Sequence, residues 1–413
     1  MDKLAHDIIP YGKQHITEDD INSVVSVLRS DILTQGPVIA KFEKEFAKYV
    51  GSNFAVAVSN GTAALHLCML GLGLNKGDKV ITTPITFAAS ANCIRYVGGE
   101  VIFSDIDATT YLLDLKKVRE LLQKVPKGTY KGIIAVDFAG RAVDLQSYRE
   151  LADEYNMWIV EDSCHAPGGY FKDNSNKIQR CGNGQFADLA IFSFHPVKHI
   201  ATGEGGMITT NDEKLFKKLL SLRSHGITKN PLEFSNPISL ANGGDDNNAD
   251  YPGWYMEMQA LGFNYRLTDF QAALGLSQLE RASEGIQRRK KIAKKYADAF
   301  NNISSIKGGL GLTEGHAYHL YVVEVEDRLG LYNYLRGQNI YAQVHYIPCH
   351  LMPYYKDMGW EKGDFPIAEN YYKSCLSLPI FPSMTKKQVN KVINSVKSFF
   401  EPSLASKELK TLN

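Results

Sequence analysis

This 413-residue chain lacks several sequence features that would indicate a membrane, secreted or metal-binding protein. No apolar run approaches the roughly 20 residues that a helix needs to cross a bilayer, and residues 1–7 lack the apolar core of a signal peptide. The six cysteines are scattered and form no Cys-x-x-Cys pair, which argues against a disulfide framework or a zinc site. We therefore expect a cytoplasmic protein with no bound metal and no membrane partner.

An excess of charge of one sign is also absent. The chain has 46 Lys and Arg against 45 Asp and Glu, a net charge of +1, so nothing indicates nucleic acid as the main partner. A Walker loop, a His-Glu-x-x-His pair and a Gly-x-Ser-x-Gly elbow do not occur. A glycine-rich stretch at 71–77 resembles a dinucleotide fingerprint, but it follows a helical pattern rather than a strand and is discarded.

The chain does contain a regular alternation of short apolar runs and helical patterns. With 44% hydrophobic and 22% charged residues it has the composition of a globular protein. Nearly continuous apolar strands separated by helices predict an α/β fold with a mostly parallel sheet that is covered on both faces. The predicted strands lie at residues 55–59, 79–83, 101–105, 132–137, 158–162, 189–192 and 207–210.

The C-terminal third predicts a second, smaller α/β domain. Its strands are expected at 320–325 and 340–345, and its last helix at Thr385, where Gln388 completes a capping box. We place a large cofactor-binding domain, which includes the N-terminal segment, at 1–270 and the small domain at 271–413. Residues 230–253 are rich in Asn, Asp, Gly and Pro and predict a long loop.

Two charged residues stand where strands end, which is where chemistry gathers in such sheets. Lys198 follows the strand at 189–192 and could bind a carbonyl cofactor, although a single lysine is more often simply exposed to solvent. Asp162 ends the strand at 158–162, where a carboxylate needs a cationic partner. A pyridinium would supply one, and so would a structural salt bridge.

Other residues near strand ends could complete a site for pyridoxal phosphate. Gly61 and Thr62 lie between a strand and a helix, where backbone amides can hold a phosphate, but an ordinary helix N-cap has the same pattern. Ser193 could add a hydroxyl to the phosphate, and Phe87 could stack on the ring or belong to the core. His165 could support the ring hydroxyl or be a structural histidine.

Six ordered segments, at 59–66, 83–87, 161–166, 192–206, 262–266 and 344–348, together resemble the DegT/DnrJ/EryC1/StrS family of sugar aminotransferases, which are fold type I pyridoxal-phosphate enzymes. The resemblance runs from about residue 9 to about residue 400. It implies pyridoxal 5'-phosphate as cofactor and catalytic roles for Lys198, which binds it, and Asp162, which pairs with the pyridine nitrogen. By the same resemblance Asn264 reaches the phosphate in the other subunit of a homodimer with shared active sites. Further cofactor contacts are implied for Gly61, Thr62, Phe87, His165 and Ser193.

Segments at 9–14, 31–37, 194–198 and 254–264 are similar to the branch of this family that works in pseudaminic acid biosynthesis. That resemblance implies transfer of the amino group of L-glutamate to C4 of a UDP-linked 4-keto-6-deoxy-N-acetylamino-L-sugar. As a hypothesis, the substrate-binding residues are Tyr11, Arg266, His345 and Tyr346. Amination of another nucleotide-linked 4-keto or 3-keto sugar of the D series, or a non-catalytic regulatory protein that binds the cofactor, remain as alternatives.

Overall fold

The computed structural model describes residues 8–244, 250–308 and 312–400. Its strands are β1 (Ile9–Pro10), β2 (Phe54–Val58), β3 (Lys79–Thr82), β4 (Glu100–Phe103), β5 (Tyr130–Val136), β6 (Trp158–Asp162), β7 (Tyr170–Lys172), β8 (Ile178–Arg180), β9 (Leu189–Ser193), β10 (Gly206–Thr210), β11 (Ile227–Thr228), β12 (Glu257–Met258), β13 (Ile306–Lys307), β14 (Tyr321–Val325), β15 (Ile340–Tyr341) and β16 (Cys375–Leu378). Its helices are α1 (Glu18–Leu28), α2 (Pro37–Val50), α3 (Gly61–Gly71), α4 (Ala89–Tyr96), α5 (Leu115–Leu122), α6 (Leu145–Tyr155), α7 (Glu213–Arg223), α8 (Ile238–Ala241), α9 (Asp269–Glu280), α10 (Ala282–Phe300), α11 (Arg328–Gly337), α12 (Pro353–Lys356), α13 (Pro366–Ser374) and α14 (Lys386–Phe400), with short 3-10 helices at Phe138–Gly140, Pro231–Glu233 and Cys349–Leu351.

The centre of the fold is a seven-stranded sheet in the order β2-β10-β9-β6-β5-β3-β4. All neighbouring pairs are parallel except those of β10, which runs against both β2 and β9. Val160 and Ile191, in the middle of β6 and β9, are fully buried, as expected for strands covered on both faces. The predicted mostly parallel α/β sheet is therefore confirmed.

Strand register explains why distant segments meet at one edge of this sheet. Gly206 at the start of β10 pairs with Val58 at the end of β2 and with Ser193 at the end of β9. A Cβ on Gly206 would lie 2.7 Å from the Asn60 backbone, so only glycine allows the chain to pass this closely. Asp162 pairs with Ile191 on the neighbouring strand. The ends of β2, β6 and β9 thus come together.

A second hydrophobic core lies around the three-stranded sheet β13-β14-β16. Tyr296 of α10, Leu331 of α11 and Val392 of α14 are fully buried in it, and Ile9 joins it because β1 pairs with β15. Helix α9, which crosses the predicted boundary at residue 270, packs against α1 and α2. The division into 1–270 and 271–413 stays a prediction.

The strand predicted at 340–345 is shorter than expected. It ends at Tyr341, because its partner β1 is only Ile9–Pro10 and proline has no N–H to continue the ladder. A single bridge between Gln343 and Ser377 follows, and the chain then leaves the sheet.

The predicted loop at 230–253 is also more ordered than expected where it is described. It contains the 3-10 helix Pro231–Glu233 and α8, and the Tyr251 ring contacts Phe234 with 4.7 Å between ring centroids. Residues 245–249 lie outside the described residues. Within the described ranges, no helix is both long and apolar enough to span a membrane.

Candidate active site

A cavity of about 700 Å³ opens at the edge of the central sheet where the strand ends meet. Every residue predicted from the sequence for the cofactor or substrate lines it, except Asn264 and Arg266. The predicted residues that it brings together are Tyr11, Gly61, Thr62, Phe87, Asp162, His165, Ser193, Lys198, His345 and Tyr346.

Asp162 is held in the cavity wall by two hydrogen bonds. Ser90 Oγ donates to Asp162 Oδ2 at 2.7 Å, and the Cys164 backbone N–H donates to Oδ1 at 3.2 Å. Since Ser90 gives its one hydroxyl proton to the carboxylate, it must accept the 2.7 Å bond from Thr86 Oγ1. Asp162 is buried, and within the described ranges no Lys, Arg or His forms an ion pair with it. A buried carboxylate without a cation fits a protonated pyridine nitrogen.

Sequence reasoning missed Ser90 and Thr86. Both line the cavity, Ser90 from the first turn of α4 and Thr86 from three residues before that helix begins. Thr86 belongs to the Thr83–Phe87 motif and Ser90 follows it closely, which was the available signal. Its meaning depended on which face α4 turns toward β6, which the sequence alone does not specify.

The N-terminus of α3 forms the second part of the cavity. Asn60 is its N-cap, and Asn60 Oδ1 accepts from the Ala63 N–H at 2.8 Å. The N–H groups of Gly61 and Thr62 belong to the first turn and have no partner inside the helix. A Cβ on Gly61 would lie 3.1 Å from Ser193 Cβ, so glycine brings the helix end close to the Ser193 hydroxyl. Free amides beside a hydroxyl suit a phosphate group.

Lys198 follows β9 in a turn, where its N–H donates to the His195 carbonyl at 2.8 Å. Burial lowers the pKa of Lys198, and the nearby Cys164 and Asp162 oppose that shift only in part. A lowered pKa raises the neutral fraction of the amine at neutral pH. Only the neutral amine can attack a carbonyl or accept a proton.

His165 has a fixed tautomer. The Ala139 backbone N–H donates to His165 Nδ1 at 3.2 Å, so the proton of the neutral ring lies on Nε2. Nε2 lies 3.2 Å from Tyr346 Oη, to which it therefore donates. Burial, followed by the charge of Lys198, lowers the pKa of His165 well below its usual value, which keeps the ring neutral. The site thus presents a neutral N–H donor.

Three further rings line the cavity together with Tyr346, those of Phe87, His345 and Tyr11. Phe87 is 62% exposed, and its ring centroid lies 6.3 Å from that of Tyr346. His345 is buried, its Nδ1 lies 2.9 Å from Ser377 Oγ, and burial lowers its pKa to about 3. The Tyr11 ring lies 5.0 Å from the His345 ring. Aromatic and imidazole groups therefore surround the opening.

Asn264 and Arg266 point away from this cavity, and Tyr265 between them lines it. The segment is extended: Asn264 bridges to Ser224 and Arg266 bridges to Val58, so neighbouring side chains alternate in direction. Tyr265 Oη lies 3.1 Å from His66 Nδ1. Within one chain, Tyr265 is therefore the residue of this motif that reaches the cavity. The predicted roles of Asn264 and Arg266 stay predictions.

Glu161, the residue before Asp162 in β6, faces the opposite side of the strand. Its Oε2 accepts from the Gly182 N–H at 2.8 Å, and it belongs with Asp137 and Cys181 to a buried group whose ligating atoms lie within 4.8 Å of one another. Burial and the neighbouring Asp137 carboxylate raise the pKa of Glu161 well above its usual value.

Similarity to known proteins identifies the class of enzyme to which this fold and cavity belong. Residues 14–397 match the DegT/DnrJ/EryC1/StrS aminotransferase family, and the chain belongs to it. It is a pyridoxal-phosphate-dependent nucleotide-sugar aminotransferase with the predicted fold type I architecture. Its cofactor is pyridoxal 5'-phosphate.

Individual relatives cover nearly the whole chain. It is 37% identical over 398 residues to the spore coat polysaccharide biosynthesis protein SpsC of Bacillus subtilis, covering 94% of this chain and 96% of that protein. It is 33% identical over 404 residues to the UDP-4-amino-4,6-dideoxy-N-acetyl-beta-L-altrosamine transaminase of Campylobacter jejuni, covering 95% and 98%. The solved structure of PseC from Helicobacter pylori, an aminotransferase involved in the biosynthesis of pseudoaminic acid, superimposes with a TM-score of 0.83 at 28% identity, covering 96% and 100%.

Proposed function

We propose that this enzyme transfers the amino group of L-glutamate to C4 of a UDP-linked 4-keto-6-deoxy-N-acetylamino-L-sugar, giving UDP-4-amino-4,6-dideoxy-N-acetyl-β-L-altrosamine for pseudaminic acid. The observation that carries the proposal is the meeting of two segments that resemble the pseudaminic branch. Residues 9–14 supply Tyr11 and residues 194–198 supply Lys198 to one cavity. The Campylobacter jejuni and Helicobacter pylori relatives support the same sugar.

The residues of the cavity have different roles in the proposed transamination. When bound, pyridoxal phosphate supplies an aldehyde that takes up an amino group and a ring that accepts electrons. Lys198 would bind that aldehyde, and its free amine would move a proton at the substrate carbon. Asp162 would keep the ring nitrogen protonated, and His165, whose Nε2–H donates to Tyr346 Oη, would lie near the ring hydroxyl. Gly61, Thr62 and Ser193 hold the phosphate.

The same proposal includes a homodimer with shared active sites. Asn264 is exposed and faces away from the cavity of its own chain. Apolar side chains close to it are strongly exposed, with Trp254 at 68% and Leu261 at 78%. A second copy that covered this face would bury them and bring Asn264 to the phosphate of its partner.

Substrate contacts are assigned to Tyr11, His345 and Tyr346, which line the cavity, and to Arg266, which does not. If Arg266 acts on substrate, it does so across the dimer. A cytoplasmic location, expected from the scattered cysteines, belongs to the same proposal.

Amination of a different nucleotide sugar is the second candidate. The chain is 37% identical to SpsC, a spore coat polysaccharide protein, and 33% identical to the altrosamine transaminase. Overall identity therefore does not favour the altrosamine product, and the choice of sugar depends on the motifs.

The test is a pair of half-reactions followed by absorbance. Glutamate added to the purified enzyme should convert the band of the Lys198-bound cofactor to that of the amine form. Only the UDP-linked 4-keto-L-sugar, among a panel that includes D-sugars and other nucleotides, should restore the original band and give the amino sugar by mass spectrometry. Restoration by a D-sugar alone would replace the first candidate with the second.

Lys198→Ala is the matched loss-of-function variant. It should remove the covalent band and reduce turnover by at least about 10²-fold, the lower limit for general acid–base catalysis, while circular dichroism stays unchanged. Lys214→Ala, which removes an exposed lysine outside the cavity, should behave like the unaltered enzyme. Turnover by Lys198→Ala at the normal rate would refute the assignment.

A further inference from the structure

A second cavity of about 220 Å³ lies beside the first. Its wall is formed by the N-terminal segment before α1, the turn that carries Lys198, the end of α9 and the first turns of α10. Lys198 lines both cavities, so the two meet at the catalytic lysine. The charged and imidazole side chains of the wall are Lys13, His15, Lys198, His199, Arg281, Arg288 and Glu284.

The positive charges of this wall are only partly neutralised. Arg281 pairs with the buried Asp20, and its guanidinium also donates to the carbonyl oxygens of Ser277 and His15. Lys13 and Arg288 form no ion pair within the described ranges, and Arg288 Nη2 donates to the Met384 carbonyl at 2.5 Å. The one carboxylate of the wall is Glu284, which is exposed.

His199 adds no charge to this balance. A carbonyl oxygen only accepts, so the 3.0 Å contact with the Ala317 carbonyl makes His199 Nε2 a donor. Burial lowers the pKa of His199 well below its usual value, and the ring stays neutral. When Lys198 is bound to the cofactor, the wall still has positive charges on Lys13 and Arg288 and a negative charge on Glu284. It therefore keeps an excess of positive charge.

We propose that this second cavity is an anion subsite that holds a carboxylate or phosphate group of a substrate bound at Lys198. Two charged N–H donors in its wall, from Lys13 in the N-terminal segment and Arg288 in α10, suit such a group. The proposal rests on the proposed function, which offers two sources of the anion: the side-chain carboxylate of glutamate and the diphosphate of the nucleotide sugar. Both ligands have an anionic group some distance from the reacting carbon.

The experiment measures binding to the holoenzyme by calorimetry with two unreactive probes. Glutarate represents the amino donor, and inorganic diphosphate represents the nucleotide sugar. Lys13→Gln and Arg288→Gln should each raise the dissociation constant of at least one probe about tenfold, as expected for loss of one charge-assisted hydrogen bond. Arg288→Lys should lose less, because it keeps the charge. The probe whose binding is weakened identifies which substrate supplies the anion.

Lys291→Gln is the matched control, since it removes an exposed lysine from the same helix outside the cavity. If both probes bind to Lys13→Gln and Arg288→Gln within about twofold of this control, the subsite is refuted. Lys13 is exposed, so its variant remains informative even if Arg288→Gln misfolds. The probes need no turnover, and a failure of the proposed sugar chemistry would show in the half-reactions instead.

Discussion

At the scale of single residues, the position of the Asp162 carboxylate depends on the hydroxyl groups of Ser90 and Thr86. The chain of hydroxyl groups from Thr86 through Ser90 delivers one directed hydrogen bond to Asp162 Oδ2. This bond fixes the direction of the carboxylate in the cavity wall, where the proposed partner is the ring nitrogen of the cofactor. If Asp162 has that role, Ser90 is a positioning residue that need not touch substrate.

Ser90→Ala should weaken cofactor binding and slow turnover. Loss of a hydrogen bond to a charged group costs roughly 1.5–3 kcal/mol, so we expect the dissociation constant of pyridoxal phosphate to rise about tenfold or more. The pH at which the covalent cofactor band changes should also shift, which a purely structural role would not produce. Spectrophotometric titration of the apoenzyme and of the holoenzyme measures both.

Thr86→Val provides a graded comparison for Ser90→Ala. It removes the outer hydroxyl and leaves the direct bond to Asp162, so its effect should be smaller but in the same direction. Equal cofactor affinity and an unchanged pH profile in Ser90→Ala would show that Cys164 alone holds the carboxylate.

Sequence reasoning at this scale placed Asp162 and Lys198 in one cavity, because Asp162 ends one strand, Lys198 follows the end of another, and carboxyl ends of parallel strands share an edge. Their catalytic roles stay predictions. Tyr265 and Ser90 were missed because their direction depends on pairing with Val58 and on the packing of α4. Those long-range contacts leave no local pattern.

At the scale of elements, one carboxylate organises the segment that joins α7 to α9. Glu257 accepts from the backbone N–H groups of Ser235 at 2.7 Å and Asn236 at 2.9 Å, and from Tyr255 Oη at 2.9 Å. Burial alone would raise the pKa of Glu257, but these bonds and one from Gln259 lower it to about 2. The composition of the segment predicted a loop and could not show that a glutamate 21 residues away along the chain would order it.

Glu257→Ala should loosen residues 230–244 without unfolding the enzyme. The amides of Ser235 and Asn236 should exchange faster with deuterium, and proteases should cut nearby. Glu280→Ala, at an exposed glutamate, is the control. Protection at residues 230–244 that matches the control would contradict the role of Glu257.

The same segment should respond to acid in the unaltered protein. Because the folded pKa of Glu257 lies below the ordinary value of about 4.3, its contribution is complete above that pH. It is lost as the pH falls toward 2. The protection factors of the Ser235 and Asn236 amides, which correct for the intrinsic pH dependence of exchange, should therefore fall over that interval and be constant above it, whereas Glu257→Ala should show no such fall.

At the scale of the whole molecule, the architecture could be predicted because strand and helix patterns alternate locally along the central sheet. The proposed homodimer was predicted only through the family resemblance, because an exposed apolar side chain has the same local sequence signal as a buried one. Trp254 and Leu261 fall in this group, at 68% and 78% exposure. The motif that carries Asn264 follows them directly, so the proposed dimer couples assembly to cofactor binding.

Leu261→Asp should therefore do two things at once. It should shift the protein from dimer to monomer in light scattering, because a charge in a buried apolar interface is costly. It should also weaken pyridoxal phosphate binding, because Asn264 could no longer reach the partner's phosphate. Leu329→Asp is the matched control, since Leu329 is 67% exposed on α11 and distant from this motif in the chain. A Leu261→Asp protein that stays dimeric with unchanged cofactor affinity would remove this face from the interface and leave Asn264 without its proposed role.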